Sequence, residues 1–102
     1  MTEIFEDVQI DETIKINIDE PKNYKVVMLN DESTPMEWVV DILKSIFNHS
    51  QETAEKITLQ IHNEGSAVVG IYTYEIAEQK TVEAVNSSRQ HGFPLQVSLD
   101  TE

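Results

Sequence analysis

The spacing of hydrophobic and polar positions along the chain predicts three strands and three helices. A segment rich in β-forming side chains, a short apolar run and a stretch of strict alternation predict strands at residues 24–30, 67–72 and 95–99. Apolar residues recur at helical spacing in the segments that follow Thr34, Ser50 and Thr73. The order β-α-α-β-α-β predicts an α+β fold, with three helices packed on one face of a three-stranded antiparallel sheet.

Several helix ends carry their own signals. Thr34 is in place to cap the first helix, Pro35 suits its first turn, and Glu37 completes a capping box. Ser50 opens the second helix and Gly65 closes it. The third helix has an apolar stripe at Ile76, Ala77, Ala84 and Val85.

The beginning of the chain differs from the rest in composition. Residues 1–23 carry seven acids and two lysines, a net charge of −5. We expect a flexible acidic extension over residues 1–22, followed by a core domain over residues 23–102. Residues 13–18 alternate polar and apolar positions, which is typical of a strand that pairs with a sheet edge. A disordered tail with an apolar patch is the alternative interpretation.

Composition narrows the class of function. The 102 residues include 7 Lys or Arg and 19 Asp or Glu, a net charge of −12 that would repel nucleic-acid phosphates and anionic membranes. Cysteine is absent, no run of ~18 apolar residues occurs, and no signal-peptide pattern opens the chain. The three histidines, His49, His62 and His91, lack metal-ligand spacing, and no nucleophile motif accompanies them. We therefore expect a cytoplasmic, non-enzymatic protein without a metal or cofactor.

A set of sequence blocks is more specific than the fold pattern. The blocks are YKVVMLNDESTPMEWVV at residues 24–40, IHNEG at residues 61–65, GIYTYEIAEQK at residues 70–80, and the closing Pro94-Leu95. Over roughly residues 23–100 the chain resembles the ClpS family, adaptors that carry N-end-rule substrates to the Clp unfoldase–protease. The resemblance implies a fold of the predicted order. It also implies recognition of proteins that begin with leucine, phenylalanine, tyrosine or tryptophan.

The resemblance implies a binding site with two parts. A free α-amino group is an ammonium with three donors and needs oxygen or nitrogen acceptors, and the matching positions are Asn30, Asp31, Glu32 and His62. The bulky first side chain needs an apolar pocket, and the matching positions are Met28, Thr34, Pro35, Met36, Val39, Thr58, Ile61 and Leu95. Turn chemistry at Asn30-Asp31 and helix core at the apolar positions are the alternatives that the residues alone would favour.

Three of these positions bear on specificity. Met36 resembles the gatekeeper of the family, which excludes β-branched first residues. Glu32 stands where the family usually has a second aspartate, so either Asp31 or Glu32 is a candidate for the ammonium contact. Thr58 stands where the family tends to have an apolar residue, and its hydroxyl makes the pocket more polar. We therefore expect a preference for a larger or hydroxylated ring such as that of tyrosine.

The resemblance also implies a surface for a second partner. Family members dock on the N-terminal domain of a ClpA-like Clp AAA+ unfoldase, and Glu75 and Lys80 match the docking positions; a solvated helix face is the alternative. An extension of 22 residues could reach roughly 70 Å toward the motor at ~3.3 Å per residue. We expect a monomer that binds N-degron substrates and the unfoldase, and neither nucleic acid nor membrane. Another interaction module, the C-terminal domain of the ribosomal stalk protein, is a competing assignment, although its lysine-bearing, glycine-rich hairpin has no counterpart here.

Overall fold

The computed structural model describes residues 22–102, which form three strands and three helices in the predicted order. The elements are β1 (Asn23–Leu29), α1 (Met36–Ser45), α2 (Gln51–Glu64), β2 (Ser66–Thr73), α3 (Tyr74–Gln90) and β3 (Gln96–Thr101). The strands pair antiparallel in the order β2-β1-β3. The α+β prediction is confirmed, and each strand lies within two residues of its expected bounds. The strand pattern at residues 13–18 lies outside the described residues.

The core lies between the sheet and the helices. Side chains alternate along the central strand β1, and those of Val26 and Met28 on its inner side are completely buried. Helix α3 lies against all three strands, α2 lies against β2, and α1 packs on α2. Leu43 of α1 and Ala77 of α3 are also fully buried in this core.

A β-bulge at Val69 shapes the edge strand β2. Val26 lies opposite Gly70 and Val27 lies opposite Val68, which leaves Val69 without a partner on β1. The carbonyl oxygen of Val69 instead accepts a hydrogen bond from Nε2 of His49, at 2.6 Å. This bond ties the loop between α1 and α2 to the edge of the sheet.

Helix α1 begins without the predicted capping box. Its N-cap is Pro35, which makes no side-chain capping bond, and the helix starts at Met36. The hydroxyl of Thr34 donates to Oδ2 of Asp31 at 2.8 Å, and the backbone N–H groups of Ser33 and Thr34 both donate to Oδ1 at 2.8 Å. The prediction that Thr34 caps the helix was wrong: the carbonyl oxygen of Pro35 accepts the backbone N–H groups of Trp38 and Val39, at 3.1 and 3.2 Å, so the first turn begins one residue later than the capping box requires.

The caps of α2 agree with the sequence. The side chain of Ser50 accepts a hydrogen bond from the backbone N–H of Thr53 at 3.2 Å. Gly65 ends the helix in the left-handed region with a φ of 94°. Its carbonyl oxygen accepts the backbone N–H of Asn30 at 2.9 Å. This bond fixes the end of α2, with His62 on its last turn, beside the loop that follows β1.

The predicted apolar stripe of α3 was partly wrong. Ala77 and Ala84 are buried as expected, but Ile76 is 46% exposed. The next buried residue in line with the alanines is Ser88, whose hydroxyl accepts a hydrogen bond from Nε1–H of Trp38 at 2.8 Å. Small side chains let α3 lie close to the sheet, so the bulkier Ile76, about 100° around the helix, stays outside.

Candidate functional site

A pocket lies where the end of β1, the start of α1, the last turns of α2 and the segment before β3 meet. Its interior cavity is small, about 20 Å³, and the space reaches about 270 Å³ only when its open mouth is included. The lining residues are Leu29, Asn30, Asp31, Thr34, Met36, Val39, Thr58, Ile61, His62 and Leu95. Nine of them are positions that the sequence predicted for the site, and the structure therefore brings these nine together.

Three predicted positions do not line the pocket. Met28 is fully buried in the core, and Glu32 and Pro35 are exposed. Leu29 lines the pocket although the sequence did not single it out. Met28 and Leu29 lie on opposite sides of β1 because side chains alternate along a strand. The alternation could have identified Leu29 only if the side of β1 that faces the core had been known.

The deep part of the pocket is apolar and closely packed. Val39 of α1, Thr58 and Ile61 of α2, and Leu95 before β3 are each at most 6% exposed. Met36 differs, because it lies at the rim and is 41% exposed. Core packing holds the four inner side chains in place, whereas the unbranched Met36 side chain can change rotamer. The pocket thus combines a fixed interior with an adaptable rim.

The hydroxyl of Thr58 is already used inside α2. It donates to the carbonyl oxygen of Ala54 at 2.8 Å. Since the single hydroxyl proton is engaged there, Thr58 can offer a ligand its methyl group and the lone pairs of Oγ1, but no donor. The polarity that the sequence predicted at this wall is therefore that of an acceptor.

Asn30, Asp31 and His62 form the polar end of the pocket. Within residues 22–102, the side chains of Asn30 and His62 make no hydrogen bond, so the amide oxygen and a ring nitrogen remain as acceptors. The bond from the Asn30 N–H to the Gly65 carbonyl oxygen holds the two halves of this end together.

Asp31 both organises its loop and keeps acceptor capacity. Its Oδ1 accepts two backbone N–H groups and its Oδ2 accepts the Thr34 hydroxyl. A carboxylate oxygen has two lone pairs, so Oδ1 is filled and Oδ2 retains one free position. Glu32 is exposed, and within the described part of the chain its carboxylate makes no ion pair. Geometry therefore favours Asp31 over Glu32 as the acid at the pocket.

Lys80 has a structural contact that the sequence did not reveal. Its Nζ donates to the carbonyl oxygen of Ile46 at 2.7 Å and lies 5.4 Å from the centre of the Tyr72 ring. Ile46 is the C-cap of α1, so the ammonium stabilises the negative end of that helix. Glu75, in contrast, is exposed on the first turn of α3.

Two further observations limit the chemistry of the described residues. Over residues 22–102, His, Asp and Glu side chains form no group of three that could hold a metal ion. In the same range, every helix is too short or too polar to cross a lipid bilayer.

Comparison with known proteins decides the family. Residues 19–98 match the family model for the ATP-dependent Clp protease adaptor protein ClpS. The chain belongs to the ClpS family. This confirms the resemblance seen in the sequence and sets aside the ribosomal stalk assignment.

Named relatives and a solved structure agree with this membership. The chain is 43% identical over 89 residues to the Clp protease adapter protein ClpS of Caulobacter vibrioides (strain NA1000 / CB15N), covering 87% of this chain and 82% of that protein. It is 48% identical over 80 residues to ClpS of Helicobacter hepaticus, covering 78% and 81%. A structure of Agrobacterium tumefaciens ClpS2 bound to L-phenylalaninamide has a TM-score of 0.79 and 41% identity, covering 81% of this chain and 100% of that one.

Proposed function

We propose that this ClpS-family adaptor binds the free N-terminus of proteins whose first residue is bulky and hydrophobic, and that it delivers them to a Clp unfoldase–protease. The observation that carries the proposal is the junction of a closely packed apolar pocket with a polar, acidic end. The ligand of the Agrobacterium relative supports it. L-Phenylalaninamide has a free α-amino group, an aromatic side chain, and an amide where a protein chain would continue.

The α-ammonium group would bind at the polar end. Its three donors match the amide oxygen of Asn30, the free lone pair on Oδ2 of Asp31, and a neutral ring nitrogen of His62. Charge-assisted hydrogen bonds of this kind contribute about 1.5–3 kcal/mol each. Acetylation removes the charge and two donors, so it leaves these acceptors without partners.

The first side chain would fill the apolar part, against Val39, Ile61 and Leu95. Burial of a leucine or aromatic side chain contributes about 1.5–3 kcal/mol. Together with the ammonium contacts the gross gain is on the order of 10 kcal/mol, and association costs at least ~4 kcal/mol. The balance of at most about 6 kcal/mol corresponds to a dissociation constant in the tens of micromolar, which suits a carrier that must release its cargo. Met36 at the rim would exclude β-branched first residues.

Delivery requires a second surface. We place it around Glu75, which is exposed at the start of α3, with the N-terminal domain of a ClpA-like AAA+ unfoldase as the partner. Lys80 belongs to the same sequence block, but its contact with α1 gives it a role in the fold as well. In this scheme the adaptor acts as a cytoplasmic monomer, carries out no catalysis and needs no cofactor, while residues 1–22 reach toward the motor.

A binding measurement tests the proposal. A peptide that begins with phenylalanine should bind the full chain in the micromolar range by calorimetry, and its acetylated twin should bind at least 100-fold more weakly. His62→Ala should weaken the binding of the free peptide by about 10-fold or more, because it removes one charge-assisted hydrogen bond. His91→Ala is the matched control, since His91 does not line the pocket. Equal binding of the free and acetylated peptides would overturn the proposal.

A further inference from the structure

Three side chains join the start of α1 to the segment that precedes β3. Ser88 is fully buried, and its hydroxyl accepts the indole N–H of Trp38 at 2.8 Å while donating its own proton to the carbonyl oxygen of Ala84 at 2.8 Å. The carbonyl oxygen of Ser88 accepts the backbone N–H of Phe93 at 2.9 Å. The rings of Trp38 and Phe93 also pack together, with their centroids 5.4 Å apart. Trp38, Ser88 and Phe93 are here termed the Ser88 cluster.

Each arm of the Ser88 cluster leads directly to a wall of the proposed pocket. Trp38 precedes Val39 on α1, and Phe93 lies two residues before Leu95. Val39 and Leu95 are both buried pocket walls. The backbone of α1 lies mainly against α2, so side chains, that of Trp38 among them, must link the start of α1 to α3.

The space between these walls is small for the proposed ligand. Its interior of about 20 Å³ is far below the ~150 Å³ of an apolar cavity that holds a benzene ring. A bulky first side chain must therefore displace the rim or move a wall. Met36 can change rotamer at the rim, but the room deeper inside depends on how firmly α1 is held against Leu95.

We infer that the Ser88 cluster limits the size of the first side chain that the pocket accepts, because it holds α1 at a fixed distance from Leu95. The inference rests on the proposed function. The three members are positioning residues, since none of them lines the pocket and they act on a ligand only through Val39 and Leu95. A weakened cluster lets these walls separate, which costs a leucine side chain its close contacts and admits the wider indole of tryptophan.

His91 stacks on the indole but stands outside this path. Its ring centre lies 4.4 Å from that of Trp38, and its Nδ1 lies 3.0 Å from the carbonyl oxygen of Ser87. The His91 side chain is exposed and bonds at the end of its own helix, so it adds no link between α1 and Leu95.

The ratio of the affinities for tryptophan-first and leucine-first peptides tests the inference on the full chain. Ser88→Ala and Trp38→Phe remove the same hydrogen bond from opposite sides, and each should raise this ratio about 5-fold, on the order of one such bond. The double variant should raise the ratio no further than either single variant, because only one bond is lost. Phe93→Leu keeps the backbone bond to Ser88, removes the ring contact and should raise the ratio as well. Lys80→Met is the matched control, since it removes a contact of α3 with the opposite end of α1 and should leave the ratio unchanged.

The outcomes separate a positioning role from a structural one. A general loss of stability lowers both affinities by the same factor and does not move their ratio. An unchanged ratio in Ser88→Ala and Trp38→Phe would overturn the inference, and so would an equal rise in Lys80→Met. In either case, a large difference between free and acetylated leucine-first peptides would leave the proposed function intact. Loss of that difference in the parent protein would overturn both.

Discussion

Among single residues, Thr58 decides how the pocket treats a ring hydroxyl. Its own proton goes to the Ala54 carbonyl oxygen, so Oγ1 can only accept from a ligand. We expect tyrosine-first peptides to bind more tightly than leucine-first ones. Thr58→Val should reduce the affinity for a tyrosine-first peptide by about 3- to 10-fold, the value of one hydrogen bond, and leave phenylalanine unaffected. Calorimetry with Phe-, Tyr-, Trp- and Leu-first peptides measures this ranking, and a flat or leucine-dominated ranking would contradict it.

Substitutions at Lys80 and Glu75 can distinguish a contribution to the stability of the fold from a contribution to unfoldase binding. Lys80→Met removes the charge beside the Ile46 carbonyl oxygen and should lower the free energy of unfolding by about 1–2 kcal/mol. Urea denaturation measures this loss. Glu75→Gln is the comparison, since Glu75 is exposed and its loss should weaken unfoldase binding without changing stability. If Lys80→Met were as stable as the parent protein, the contact with α1 would carry no energy and a docking role alone would remain.

Single residues also show what the sequence could and could not predict. The family resemblance located nine of the ten pocket residues, because those positions carry specific chemistry in a fixed order. It did not reveal that Pro35 is the N-cap of α1 while the Thr34 hydroxyl donates to Asp31, since several polar side chains of the same loop can make local hydrogen bonds. It also did not reveal the contact between Lys80 and Ile46, which are far apart in sequence and meet only through packing.

At the scale of elements, the carboxyl end of α2 positions the polar end of the pocket. Gly65 has a φ of 94° and Gly92 has a φ of 81°, and a methyl group at either would meet no atom within 4 Å. Gly65→Ala and Gly92→Ala should therefore each cost about 1–2 kcal/mol through backbone strain alone. Only Gly65→Ala should also weaken peptide binding, because the Gly65 carbonyl oxygen holds the Asn30 loop.

Thermal unfolding and calorimetry with a Phe-first peptide measure the two effects on the same pair of variants. Gly92→Ala controls for a general loss of stability. Equal losses of affinity in both variants would mean that the Gly65 contact has no particular role in the site.

The elements themselves could be predicted to different degrees. β-forming composition, a short apolar run and alternation located the three strands to within two residues, and the sequence correctly predicted the Ser50 and Gly65 caps of α2. The stripe of α3 was harder to read because its buried residues are small and include Ser88, so hydrophobicity alone pointed to Ile76. Where a helix lies close to a sheet, side-chain size decides burial as much as polarity does.

For the whole molecule, alkaline pH should reveal the contribution of Tyr72 to stability. Partial burial raises the pKa of Tyr72 above its usual value in unfolded chains. The folded state therefore binds the phenol proton more strongly than the unfolded state does. The resulting contribution to the free energy of unfolding is complete below pH ~10 and is lost as the pH rises through the folded-state pKa. In Tyr72→Phe, the free energy of unfolding should therefore fall less steeply as the pH rises above ~10.

Thermal unfolding between pH 8 and pH 11 measures the effect. Tyr74→Phe is the comparison: the nearby Glu78 carboxylate raises the pKa of Tyr74, but Tyr74 is solvent-exposed, so screening should keep its effect on stability small. If the stability of Tyr72→Phe fell as steeply at alkaline pH as that of the parent protein, Tyr72 would not be the group responsible.

The acidic charge of the whole chain divides between the N-terminal segment and the domain. Residues 1–21 carry seven acids and one lysine, so their removal takes the net charge from −12 to −6 and leaves Asp31 at the pocket. Residues 22–102 contain the core cluster and the ten pocket-lining residues described above. Deletion of residues 1–21 should therefore leave peptide affinity within about 2-fold at ordinary salt, where charges are screened within ~8–10 Å.

The same deletion should abolish delivery, measured as degradation of a Phe-first substrate by the unfoldase–protease. A variant with the acids of residues 1–21 changed to their amides keeps the length of the segment and removes its charge, and it should retain delivery if reach toward the motor is what matters. Loss of peptide binding on deletion would show instead that the segment belongs to the site. Loss of delivery in the amide variant alone would show that its charge, rather than its length, engages the unfoldase.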